Sequence, residues 1–140
     1  MDRVVLAGGI AAVVFLIAFV LQRRRPSAPT QAQSQLPAQL DRADFVDPQK
    51  PWLVAVFSSD VCDSCPKAVS VAQLLESGEV AFQNVSLQSA PALHDRYTVL
   101  QVPLILVADR EGIVRLTYTG PPNSAELWAE FAHVREHVSA

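Results

Sequence analysis

Six consecutive apolar residues, Trp52-Leu53-Val54-Ala55-Val56-Phe57, constrain this chain more than any other stretch. The run is short, rich in β-branched and aromatic side chains, and free of the polar alternation of a half-exposed strand. It therefore reads as a strand buried on both faces, which needs cover on each side. Five residues after it come the only two cysteines, in Cys62-Asp63-Ser64-Cys65. Beyond them Ala68, Val69, Val71, Ala72, Leu74 and Leu75 recur at helical spacing until Glu76, and Gly78 stops the run.

Ser58, Ser59 and Asp60 are candidate helix caps, which places the cysteines at a strand-to-helix junction. Two intervening residues at the start of a helix put both sulfurs on one face, near enough to join. The pair can then cycle between dithiol and disulfide. Cys62 would meet unpaired backbone N–H groups and the positive end of the helix, which favour its thiolate and make it the better nucleophile. Asp60 and Asp63 oppose that effect, and Lys67 aids it. A disulfide closing so small a loop constrains little of the unfolded chain, so chemistry explains the cysteines better than stability does.

Val4 to Leu21 is an uncharged run of eighteen apolar residues. As a helix at ~1.5 Å per residue it spans ~27 Å, enough to cross a bilayer core. It ends in Gln22-Arg23-Arg24-Arg25 rather than in the small residues of a cleavage site, so residues 1–25 are expected to form one uncleaved transmembrane anchor with a basic flank. Three arginines after the run outweigh Arg3 and the amino terminus before it, which predicts a single-pass protein of the cell membrane with a cytoplasmic soluble domain. The alternative is an extracytoplasmic domain in an oxidising compartment. Residues 26–36, PSAPTQAQSQL, carry no charge or aromatic group and read as a flexible tether. Residues 37–140 are then one domain with a single core. From Pro26 onward seven Lys or Arg face thirteen Asp or Glu, a formal charge of −6 that argues against nucleic-acid binding.

Within that domain Leu36 to Leu40 suggests a weak strand, Arg42 to Phe45 a helical turn, and Pro48 and Pro51 a loop. Val80 to Leu87 reads as a strand, Pro91 to Tyr97 as a short helix and Leu104 to Ala108 as a second apolar strand. This βαβαβ order predicts parallel pairing. Asp109 to Gly112 reads as a hairpin turn into Ile113 to Thr119, and Gly120-Pro121-Pro122 as a break. Ser124 then caps a last helix with the apolar stripe Leu127, Trp128, Phe131 and Val134. Tyr97 and Trp128 are expected to pack in the core or cover its edge. There is no internal repeat and no glycine-rich phosphate loop.

These features together resemble the thioredoxin-like family: a strand ending in Val56-Phe57, CxxC opening a helix, Val102-Pro103 before a strand, then a hairpin, Gly120 and a closing helix. The resemblance covers about Leu36 to Val138. It implies an α/β fold with a central mixed sheet flanked by helices, here preceded by the transmembrane helix. It also implies a membrane-tethered thiol–disulfide oxidoreductase in which Cys62 attacks and Cys65 resolves, with Asp63 and Ser64 completing the motif. Pro103 would be cis and face the cysteines, with the backbone of Val102 pairing with an extended substrate. The implied partners are a protein disulfide and a thiol electron donor, with no cofactor.

Three departures from the family pattern accompany this. Val56 stands where the best-known members carry a buried acid, and Phe82 falls where they often have its lysine partner. Val61 replaces a tryptophan, and Asp63-Ser64 replaces Gly-Pro. The losses at Val56 and Phe82 weaken the expectation of fast proton transfer at Cys65. They leave a non-catalytic binding module at the membrane as the alternative. No metal is expected: Pro66 excludes the CxxCH haem signature, and His94, His133 and His137 lie far from the cysteines in sequence. Two thiolates would suit Cu(I), but the methionine that often accompanies such a site is missing.

Overall fold

The computed structural model describes residues 36–138. The expected transmembrane helix over Val4 to Leu21 and nearly all of the expected tether lie outside the described residues. Among the described residues no helix is long and apolar enough to cross a membrane.

Strands β1 (Trp52–Ser58), β2 (Val80–Ser86), β3 (Leu104–Ala108) and β4 (Val114–Thr119) form one sheet in the order β2-β1-β3-β4. Helix α1 (Cys65–Gln73) connects β1 to β2, which run parallel, whereas β1 with β3 and β3 with β4 are antiparallel. The parallel pairing expected from the βαβαβ order thus holds for the first pair and fails for the second. The reason is length. Helix α2 (Pro91–Arg96) has six residues, or ~9 Å of rise, and cannot return the chain along a strand of ~23 Å. The chain therefore enters β3 at the end of the sheet where β2 left it.

Every residue of β1 is buried, as a strand covered on both faces requires. On one face Trp52, Val54 and Val56 pack with Ala68, Ala72, Leu75 and, from α3 (Ser124–Val138), Leu127 and Phe131. On the other, Leu53, Ala55 and Phe57 pack with Leu40, Phe45, Leu93 and Tyr97. Strand β4 lies at the sheet edge and alternates: Val114, Leu116 and Tyr118 are half-buried, while Arg115, Thr117 and Thr119 are exposed.

Two expectations are corrected here. Trp128 does not join the stripe of the last helix and is 48% exposed. Leu127, Phe131 and Val134 follow one another at helical i, i+4, i+7 spacing, and Trp128 sits about 100° around the helix from Leu127. Leu36 to Leu40 forms no strand beyond a single bridge between Gln39 and Ile113. Leu40 N–H does reach the carbonyl of Gly112 (2.8 Å), and the approach is so close that a side chain at Gly112, whose φ is +81°, would meet the Leu40 carbonyl. The expected turn after it is a 3-10 helix, Arg42–Asp44, capped by the Asp41 side chain on Ala43 N–H.

Candidate functional site

Strand β1 delivers the chain into the loop that carries the cysteines, and α1 begins at Cys65 with Ser64 as N-cap. Cys62 therefore precedes the helix rather than opening it, and Ser58, Ser59 and Asp60 are not its caps. Pro66 explains the shift. A helix starting at Cys62 would need the amide of residue 66 to reach the Cys62 carbonyl, and proline has no N–H to give. Instead Cys62 N–H bonds to the Ser59 carbonyl (3.1 Å) and Cys65 N–H to the Cys62 carbonyl (3.4 Å), two successive turns.

The two sulfurs are joined in a disulfide across a Cα separation of 5.4 Å, within bridging range. Access differs between them: Cys62 is partly exposed, and Cys65 is buried at 2%. Cys62 is therefore the member of the pair that offers an incoming group surface to approach. The Ser64 hydroxyl lies 3.8 Å from Cys62 Sγ.

The loop is fastened by polar groups that sequence reasoning missed. Ser86 Oγ donates to Asp60 Oδ1 (2.8 Å), Asp60 N–H to Gln88 Oε1 (3.0 Å), and Gln88 Nε2 to Ser59 Oγ (3.1 Å). Leu87 N–H closes the seam on the Ser58 carbonyl (2.9 Å). The polar stretch after β2 is visible in sequence, but its pairing with residues 26 to 29 positions earlier is not.

The peptide between Val102 and Pro103 is cis. Leu104 pairs with Phe57, so this peptide lies at the same end of the sheet as the cysteine loop. The Pro103 carbonyl accepts Gly120 N–H (3.0 Å).

No protein-family model and no curated protein matches the sequence. Solved structures similar to it include a malarial protein, with a TM-score of 0.53 at 16% identity over 60% of this chain and 97% of that one. Two thioredoxins are also similar at TM-scores of 0.49. One is a mutant thioredoxin from Halobacterium salinarum NRC-1, at 22% identity over 57% of this chain and 71% of that one. The other is the thioredoxin of Malassezia sympodialis, at 17% identity over 60% and 76%. With the likeness to the malarial protein stand the mixed sheet, the bridged CxxC after β1 and the cis proline before β3. The fold is thioredoxin-like.

Within this thioredoxin-like fold the departures take physical form. Val56 is fully buried among Trp52, Val54, Ala68 and Ile105 and offers no proton acceptor. Its partner on β2 is Asn84, whereas Phe82 lies opposite Val54. The residue beside Val56 is therefore polar, and Asn84 Oδ1 accepts the buried Ser58 hydroxyl (2.5 Å). Phe82 is partly buried against the same apolar cluster that holds Val56, so no charged group takes the place of the missing pair there.

The histidines have other occupations. His94 is buried, with Nε2 2.9 Å from the Val85 carbonyl and its ring edge-on to Phe57. His133 and His137 stack on the exposed face of α3. Tyr97 does pack at the core edge. Its hydroxyl donates to Asp44 Oδ2 (2.5 Å) and accepts Asp41 N–H (3.0 Å), fixing the 3-10 helix to α2. Burial, then the bond to Asp44, pushes the Tyr97 phenol above its ordinary range. Tyr118 joins β4 to α3 through Glu130, and burial with that bond pushes it up further.

Proposed function

We propose that this chain is a membrane-tethered thiol–disulfide oxidoreductase that reduces protein disulfides through Cys62 and Cys65. The observation that carries the reading is a partly exposed Cys62 bridged to a buried Cys65, at the sheet end that also holds the cis Val102-Pro103 peptide. In the reduced pair, Cys62 thiolate attacks one sulfur of a substrate disulfide. That S–S bond breaks, and the departing thiolate takes a proton from water. Cys65, as thiolate, then attacks the Cys62 sulfur and breaks the mixed disulfide, so two electrons pass from the CxxC pair to the substrate. A thiol reductant restores the dithiol.

The Ser64 hydroxyl can donate to the Cys62 thiolate, whereas the carboxylates of Asp60 and Asp63 oppose it. A less stabilised thiolate makes the reduced form less favourable, which gives the pair reducing character. The backbone of Val102 supplies the pairing edge for an extended substrate. Tethering rests on the apolar run Val4 to Leu21 and the cytoplasmic orientation on Arg23, Arg24 and Arg25.

The test is a trapping experiment on the full chain. Cys65→Ser is expected to hold substrates as mixed disulfides that survive non-reducing electrophoresis and are released by dithiothreitol. Cys62→Ser should hold none. Native, non-covalent co-purification of the same partners by the double Cys→Ser variant as by the parent chain would instead favour the binding-module reading.

A further inference from the structure

The surface around the exposed sulfur carries charge as well as apolar groups. Asp60 and Asp63 are both exposed, one on each side of Cys62 in sequence. Among the described residues neither belongs to an ion pair, and the Asp60 carboxylate is held in place by Ser86 Oγ. The cation nearest in sequence is Lys67, exposed in the first turns of α1, so the two carboxylates outnumber it. Apolar side chains stand at the same end of the sheet: Val61, next to Cys62, is 85% exposed, and Leu100, two residues before Val102, is 72% exposed. Leu87, just past β2, is exposed there too.

We propose that Asp60 and Asp63 are specificity determinants that select disulfides flanked by positive charge. The preferred substrate is an extended segment with apolar side chains and a lysine or arginine beside its reacting cysteine. This rests on the oxidoreductase reading above. The physical basis is that a cationic group entering the site is drawn to the two carboxylates and to the Cys62 thiolate, whereas an anionic disulfide is repelled by all three. The effect acts on the approach of the disulfide and falls with ionic strength. Electrons follow the route already given: the substrate S–S bond is reduced to two thiols while Cys62 and Cys65 become the disulfide.

The test uses the full chain, reduced with dithiothreitol and desalted, in single turnovers against three small disulfides. These are cystamine, which is cationic, 2-hydroxyethyl disulfide, which is neutral, and dithiodiglycolate, which is anionic. Each rate constant is divided by that of free 2-mercaptoethanol with the same disulfide, which removes intrinsic reactivity and the charge of the thiolate itself. Two carboxylates acting through a water-like dielectric, partly screened, predict a cystamine-to-dithiodiglycolate ratio of about 10 at low salt. Asp60→Asn with Asp63→Asn should bring it to roughly 2, as should 0.5 M NaCl. Asp63→Asn alone, at a fully exposed position, should give an intermediate ratio without touching the bond to Ser86. A ratio that the substitutions leave unchanged overturns the proposal. If all three disulfides react without a charge preference, the selection fails and the oxidoreductase reading stands. If none reacts while dithiothreitol still opens and closes the pair, both fall.

Discussion

Placing an acid at residue 56 tests whether the surroundings of Val56 are as apolar as the packing shows. Val56 is 0% exposed, pairs with Ile105 across the sheet and belongs to the apolar cluster that holds Trp52, Val54 and Ala68. Val56→Asp removes a buried apolar side chain and inserts a carboxyl, which costs roughly 2–3 kcal/mol even when neutral. Burial also disfavours the ionised form. A rise of about three pH units above the ordinary ~3.9 adds about 4 kcal/mol at pH 7, at 1.36 kcal/mol per unit. Because the folded pKa would be raised, the second penalty is absent below the unfolded pKa near 4 and grows as pH rises towards the folded one. Urea denaturation followed by fluorescence of buried Trp52 should therefore give a loss of about 2–3 kcal/mol at pH 4 and about 6 kcal/mol at pH 7, relative to the parent chain at each pH. That is a large share of the ~5–15 kcal/mol typical of a domain. A loss equal at both pH values, or below ~2 kcal/mol at pH 7, would refute the apolar environment assigned to residue 56.

Three further outcomes follow from the packing. Phe131 is buried edge-on to Trp52 (5.4 Å between centroids), so Phe131→Ala should cost roughly 3–5 kcal/mol. Trp128→Ala on the same helix should cost under about 1 kcal/mol, and equal losses would contradict the helix orientation. Asp109 Oδ1 accepts the amides of Glu111 and Ile113, and Oδ2 accepts from Arg115 (2.7 Å). Asp109→Ala should then cost roughly 3–5 kcal/mol by denaturation, and Asp109→Asn, which keeps an amide oxygen for the turn, roughly half as much. Tyr97 and Tyr118 are the only tyrosines, and both phenols are pushed up. Native tyrosinate absorbance should rise above the ordinary pH of about 10, stability being intact below that value and lost as pH climbs through the folded pKa values. Titration near 10 in the folded protein would contradict the Asp44 and Glu130 contacts.

The buried strand, the cysteine loop and the proline before β3 were legible because each depends on local pattern: an apolar run, a spacing, and a strand start. What the sequence hid depends on distance or on one atom. The late start of α1 turns on the missing N–H of Pro66. Antiparallel β3 follows from the shortness of α2 against the strands. Arg42 reads as a surface residue, yet it is buried because its guanidinium donates to the Asp109 and Asp47 carbonyls at 3.0 and 3.4 Å, while its Nε has no partner among the described residues. Burial disfavours its charged form, and Asp109 offsets part of that cost.

The most direct test of the redox reading is the equilibrium of the Cys62-Cys65 pair in the full chain against dithiothreitol buffers of graded composition, quenched by alkylation. A single reversible two-electron transition at roughly −250 mV or below is expected for a reductase whose thiolate is opposed by Asp60 and Asp63. A potential of roughly −120 to −180 mV would contradict the reducing direction. The absence of any reversible transition would contradict the catalytic cycle itself.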